Sequence, residues 1–189
     1  IEGDTPVVKG DSDTAKDNRG AVPREGGKDL QEGIYYFSTE SGSGEGAMQT
    51  GKQTVTIDGE SFTFKFKTGS NLKGSGLVGE DDDKLYMAGK QVKADKDDKY
   101  TVYKYDKTNN SVTEMTTTDF IATCTDGGKH DDDKEETVYT VTTTNTDSVK
   151  YYLVNTSGTI LKNKTNAKDA DDYKFYVSGK TINEVVLED

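Results

Sequence analysis

The sequence predicts an all-β protein of antiparallel β-hairpin repeats, solenoid-like, with an inserted β region in the middle. Three observations lead there. The stretch "GESFTFKFK" (59–67) alternates Phe62, Phe64 and Phe66 with Ser61, Thr63 and Lys65, and a period of two puts the three phenylalanines on one face of a strand. Two-residue turn signals punctuate the chain. Asp58-Gly59 is the strongest, and Ala88-Gly89 and Ser178-Gly179 are weaker versions, because glycine takes a positive φ at little cost. Finally, one word is used twice: Tyr86-Met87-Ala88-Gly89-Lys90-Gln91-Val92 lines up with Tyr176-Val177-Ser178-Gly179-Lys180-Thr181-Ile182. A repeated word marks a repeated structural unit rather than a single active site. Helical periodicity is nearly absent, and only 116–122 leaves room for a helix.

Taken in order, residues 1–32 hold both prolines, many charges and almost no periodic apolar residues. That composition reads as a polar linker or loosely packed lead-in. The β signals start with "IYYF" (34–37), and 33–105 is assigned to β-hairpin repeats. Residues 106–149 break the pattern, because "TDGGKHDDDKEE" (125–136) is a long polar excursion between "DFIATC" and "TVYTVTTT". It reads as an inserted β region with a solvated acidic loop, tolerated because loop-closure entropy grows slowly with length. Hairpin repeats resume over 150–189, around "VKYYLVNTSGTILKNK" (149–164).

Only 30% of the 189 residues are hydrophobic and Trp is absent. That is poor material for one thick core, since ordering the backbone costs roughly 1–2 kcal/mol per residue. Yet 11 Tyr and 6 Phe in short runs argue against disorder. Thin β layers sealed by aromatic rings reconcile the two. The net charge of -11 opposes binding to nucleic acid or an anionic bilayer, which carry the same sign. No apolar run approaches the ~18 residues of a membrane-spanning helix, so membrane insertion is not expected. A single cysteine, Cys124, excludes an internal disulfide. An acidic Thr-, Asn- and Gly-rich chain poor in cysteine fits an extracellular setting, secreted or on a bacterial cell surface. The first residue, Ile1, fits a processed protein or a fragment of a larger one.

The acidic runs "EDDDK" (80–84), "ADKDDK" (94–99), "HDDDK" (130–134) and "DADD" (169–172) each raise the question of calcium. None shows alternating ligands with a central Gly and a distal Glu, the pattern that converges oxygens on one ion. They read as solvated turns that keep strand ends soluble and deter edge-to-edge pairing. No metal and no cofactor is expected. Catalysis has little foothold: His130 is the single histidine, and Cys124 lies close to it in an acidic neighbourhood that disfavours a thiolate. Paired carboxylates for glycoside hydrolysis need a deep cleft. The chain is read as not an enzyme.

One series of words resembles a known family. "YYF" (35–37), Gly46-Ala47-Met48-Gln49-Thr50-Gly51, "YYLV" (151–154) and Gly158-Thr159-Ile160 are similar to the cell-wall-binding repeats of Firmicute surface proteins, also called choline-binding or glucan-binding repeats. Those repeats run as an aromatic triplet, a Gly-rich turn, an apolar residue and then Thr-Gly. The resemblance covers 33–105 and 149–182, and implies a solenoid of stacked β-hairpins. It also implies a wall polymer or extracellular glycan as the partner. The match fails at the best-known site. Choline is held by tryptophans through cation–π attraction, and Ile34, Ser61, Lys150 and Lys52 stand where tryptophans are expected.

On a strand, neighbouring tyrosines point to opposite faces. One of each pair then packs between hairpins and the other is free to stack on a sugar ring. Tyr36, Tyr86, Tyr152 and Tyr176 are the carbohydrate-binding candidates on this reading. Two function classes follow. One is a non-catalytic attachment module within a larger secreted protein. The other is a structural β stalk of an adhesin or pilin-like protein, which the Thr-rich "TVYTVTTTNTDSV" (137–149) suits.

Overall fold

The computed structural model describes residues 33–38, 47–69, 72–130, 134–141 and 148–188, and the backbone of three short strands before residue 30. Among the described residues the regular structure is mostly antiparallel β sheet, and the one helix is five residues long. It divides into two compact units. Unit 1 comprises Ile1–Val78 and Tyr86–Gln91, and unit 2 comprises Gly79–Leu85 and Val92–Asp189.

In unit 1, β1 (Val7–Gly10) lies in the stretch read as a lead-in, most of which falls outside the described residues. The strands β2 (Arg24–Glu25) and β3 (Lys28–Asp29) pair with each other, and β1 pairs antiparallel with β4 (Gly33–Tyr36). The unit is dominated by β5 (Gly51–Ile57) and β6 (Glu60–Phe66), joined by Asp58-Gly59 as the sequence predicts. Asp58 and Gly59 take φ of 51° and 81°, the two positive values that a type I′ hairpin turn requires.

The chain then passes through β7 (Gly79–Asp81) of unit 2 and re-enters unit 1 within β8 (Lys84–Met87) before β9 (Lys90–Gln91). Ala88 and Gly89, at φ 48° and 92°, make the second predicted turn. Glycine is needed here for space as well as for φ. A Cβ on Gly76 would lie 2.6 Å from the Ala88 carbonyl oxygen, because the two backbones touch. On the inner face, Val55, Phe64 and Phe66 are buried, with Ile34, Tyr36, Ile57 and Phe62 packed against them. Full burial of such side chains contributes about 1.5–3 kcal/mol each.

Unit 2 contains β10 (Tyr100–Asp106), β11 (Ser111–Met115), helix α1 (Thr117–Ile121), β12 (Thr125–Asp126), β13 (Glu136–Thr140), β14 (Val149–Asn155), β15 (Lys164–Lys168), β16 (Lys174–Ser178) and β17 (Thr181–Glu188). A three-stranded sheet runs β11-β10-β14, and a five-stranded sheet runs β12-β13-β17-β16-β15. They share one core. Val102, Tyr151 and Leu153 from the first sheet meet Ala167, Phe175, Val177, Ile182 and Val185 from the second.

The helix falls inside the one stretch left open to it. Thr116 caps it: its Oγ1 accepts the Asp119 N–H at 3.1 Å and donates to the Asp119 carboxylate at 2.8 Å. A cap of this kind satisfies backbone donors that a short helix leaves unpaired.

One expectation is corrected. The third hairpin turns on Gly179-Lys180 rather than Ser178-Gly179, because Ser178 still pairs with Thr181. A bulge leaves Asn183 as the extra residue, since Val177 pairs with Ile182 and Tyr176 with Glu184. The stretch 106–149, read as an inserted β region, is built into unit 2. Its β11 pairs with β10, its β13 lies between β12 and β17, and its Phe120 is fully buried in the shared core. The tip of its acidic loop, 131–133, lies outside the described residues.

Candidate functional site

The residues carrying the family resemblance form two hairpins with one bonding pattern, one in each unit. In unit 1, Phe37 and Met48 form an antiparallel bridge, flanked by Ser38 N–H to the Ala47 carbonyl and Gln49 N–H to the Tyr36 carbonyl. In unit 2, Val154 and Ile160 form the bridge, flanked by Asn155 N–H to the Thr159 carbonyl and Leu161 N–H to the Leu153 carbonyl. Position for position, Tyr36, Phe37 and Ser38 match Leu153, Val154 and Asn155. On the return strand, Ala47, Met48 and Gln49 match Thr159, Ile160 and Leu161.

The match continues past the hairpin. Gly51 has φ 72° and the corresponding Asn163 has φ 43°. Each is a left-handed residue, which Gly and Asn tolerate best, and each leads into the first strand of a longer hairpin, β5–β6 or β15–β16. In unit 2 the turn is fixed by the Asn155 side chain, whose Oδ1 accepts the N–H groups of Ser157 at 3.0 Å and Thr159 at 2.9 Å.

The tyrosines divide differently from the sequence expectation. Tyr36 is half-buried, with its ring stacked on Phe66 at 6.1 Å and 20°. Tyr176 is also half-buried. Its hydroxyl donates to Asn166 Oδ1 at 2.6 Å, and its ring meets the His130 ring edge-on at 5.4 Å. Tyr86 and Tyr152, expected to expose a ring face, are each only 3% exposed, which corrects that reading.

The reason is visible on β14, where Tyr151, Tyr152, Leu153 and Val154 are all buried. Alternation frees one tyrosine only if one face of the sheet is wet, and this strand is covered on both faces. Tyr151 enters the shared core, while Tyr152 pairs across the strand with Tyr103 on the opposite face. Burial pushes the Tyr152 phenol up to about 12, with the Glu80 carboxylate adding to the shift.

The acidic runs are more structured than solvated turns. Asp82 and Asp83 do make the turn from β7 to β8, at φ 49° and 58°. Asp83 then binds Lys162 at 2.5 Å and Lys180 at 3.0 Å, and Lys180 also reaches Glu80 at 2.6 Å. The two lysines, Lys162 foremost, hold the Asp83 carboxyl below its ordinary value. In "DADD", Asp169 is 4% exposed rather than solvated. It accepts the N–H groups of Asp171 at 3.0 Å and Tyr173 at 2.9 Å, and burial pushes its carboxyl up. The Asp83 contacts had no local sequence signal, because Lys162 and Lys180 lie about eighty and one hundred residues on, whereas the Asp169 bonds are local, to the N–H groups two and four residues ahead.

Cys124 and His130 do not form a nucleophile–base pair. The Cys124 thiol donates to the Phe120 carbonyl at 3.5 Å and is pushed up by burial, while the His130 ring is bound to Glu184 at 2.5 Å. Among the described residues, no group of three or more His, Cys, Asp or Glu side chains is placed to hold a metal ion. No family model, curated protein or solved structure matches the chain.

Proposed function

We propose that the chain is a non-catalytic attachment module of an extracellular bacterial surface protein, built from degenerate repeats that resemble the cell-wall-binding family. On this reading the hairpins belong to a solenoid-like series, and the partner is a wall polymer or extracellular glycan. The observation that carries it is the matching placement of two antiparallel bridges, Phe37–Met48 and Val154–Ile160, each just after a Tyr-Tyr pair and each followed three residues on by a left-handed Gly51 or Asn163. Two stretches far apart in sequence share an aromatic strand, a return strand, a left-handed Gly or Asn and a following hairpin. Independent folding solutions rarely coincide in such detail, whereas repeated units do so by construction. Of the four candidate tyrosines, Tyr36 and Tyr176 are the two that are only half-buried, and they are the ones assigned to a sugar. Choline is disfavoured, since no tryptophan is available to form its cage.

A second reading, a structural β stalk with no ligand, is favoured by the enclosure of Tyr86 and Tyr152. Retention on purified Gram-positive cell walls, with and without soluble wall glycan as competitor, separates the two. The attachment reading expects saturable, competable retention that Tyr36→Ala weakens about tenfold, which corresponds to about 1.4 kcal/mol. Absence of retention contradicts it and leaves the stalk.

A further inference from the structure

We infer that β5 is a pairing edge through which a second copy of this chain adds to the unit 1 sheet. Among the described residues, strand β5 is bonded on one side only. Its register with β6 is unbroken from Gly51↔Phe66 to Ile57↔Glu60. In a two-residue hairpin the pair beside the turn is hydrogen-bonded and the bonded pairs then alternate. Gly51, Gln53, Val55 and Ile57 therefore bond to β6, while Lys52, Thr54 and Thr56 aim their N–H and C=O groups outward. The neighbouring strand confirms the phase: Lys65, opposite Lys52, donates its N–H to the Gly89 carbonyl and accepts the Leu77 N–H at its own carbonyl.

An open edge usually carries a device against pairing, such as a bulge, a proline or flanking lysines. The strand at the matching place in unit 2 has two of these. In β15 the register breaks between Lys164 and Ala167, Asn166 takes φ 53°, and Lys164 and Lys168 stand at its ends. Strand β5 has no bulge, no proline and a single charge, Lys52.

The sequence of β5 selects a second copy as its occupant. Antiparallel pairing about Thr54 sets Thr54 against Thr54 and Lys52 against Thr56 of the other copy. Every outward N–H then finds an outward C=O, and no like charges oppose. Lys52 is also drawn toward the turn end of the other copy, which carries Asp58 and Glu60. On the inner face, Val55 and Ile57 extend the apolar layer of Phe62, Phe64 and Phe66 across the seam.

Sedimentation velocity tests this, run up to about 1 mM to capture weak association. The wild-type chain is expected to form a dimer, and Thr54→Pro a monomer with an unchanged far-UV circular dichroism spectrum. The Thr54 N–H points away from β6, so proline removes no hairpin bond. Should that variant not fold, oxidation of Thr54→Cys in a Cys124→Ser background decides. The paired Cα atoms would be about 5.5 Å apart, within disulfide range, so Thr54→Cys is expected to cross-link and Thr56→Cys is not. A wild-type monomer at every concentration, a dimer persisting in Thr54→Pro, or cross-linking at Thr56 but not Thr54 would overturn the inference.

Discussion

Replacing Phe120 with Ala tests whether the stretch 106–149 is part of the fold or an appendage. Phe120 has no exposed surface, and its ring lies 5.1 Å from that of Tyr151, tilted by 55°. Truncating a fully enclosed phenylalanine costs about 3–5 kcal/mol through lost burial and the cavity left behind. That figure includes an aromatic pair worth about 0.5–1.5 kcal/mol. Against a typical total of about 5–15 kcal/mol, the loss is about a fifth or more of the stability. With a urea slope of about 1–3 kcal/mol per molar, the midpoint should fall by about 1 M or more. The chain has no tryptophan, so tyrosine fluorescence and near-UV circular dichroism report the transition. The exposed Thr118, on the same helix, provides the control, and Thr118→Ala should be close to neutral. A midpoint shift for Phe120→Ala no larger than that of the control would refute the placement of α1 in the core.

Gly76→Ala should destabilise unit 1, because its Cβ would lie 2.6 Å from the Ala88 carbonyl oxygen; a melt unchanged from wild type contradicts the close backbone approach. Thr116→Ala removes the cap on α1 and should cost about 1 kcal/mol, read as a urea midpoint shift; no shift would mean that the cap is idle. Asp169→Asn keeps an acceptor for the N–H groups of Asp171 and Tyr173 and removes a buried charge. The folded state raises the Asp169 pKa above 3.8, so it binds this proton more tightly than the unfolded chain does. The stabilising contribution of that proton is present below the unfolded value and is lost as pH rises through the raised one. The Asp169→Asn protein should therefore be at least as stable as wild type at neutral pH, with its advantage shrinking as pH falls toward 3.8. Lower stability than wild type at neutral pH, read from the urea midpoint, contradicts this.

Local signals in the sequence translated well into structure. Asp58-Gly59 and Ala88-Gly89 turn where two-residue turn chemistry places them, and Phe62, Phe64 and Phe66 share a face as their spacing requires. The helix at 117–121 lies within the one stretch that did not demand a strand. The third turn was misplaced by one residue because Ser178-Gly179 is a weak signal and the bulge at Asn183 left no trace in composition. The role of 106–149 was hidden because β13 pairs with β17, more than forty residues on, and period two does not say which strands meet. The candidate tyrosines were half legible. Alternation separates Tyr151 from Tyr152, but exposure depends on what covers each face, and Tyr152 is covered. Charge alone does not place Asp83 or Asp169: the lysines that hold Asp83 are brought to it only by the fold, while Asp169 caps a local turn through the N–H groups of Asp171 and Tyr173 and is buried by its surroundings.

The equivalence of the two bridged segments, 36–49 and 153–161, underlies the proposed function, and amide hydrogen exchange followed by NMR tests it most directly. The N–H groups of Ser38, Gln49, Asn155 and Leu161 are bonded across the two short bridges, whereas exposed turn amides exchange freely. All four are expected to be protected, with Ser38 and Gln49 behaving in unit 1 as Asn155 and Leu161 do in unit 2. Protection at Asn155 and Leu161 with unprotected exchange at Ser38 and Gln49 would contradict the shared hairpin, and the repeat reading with it.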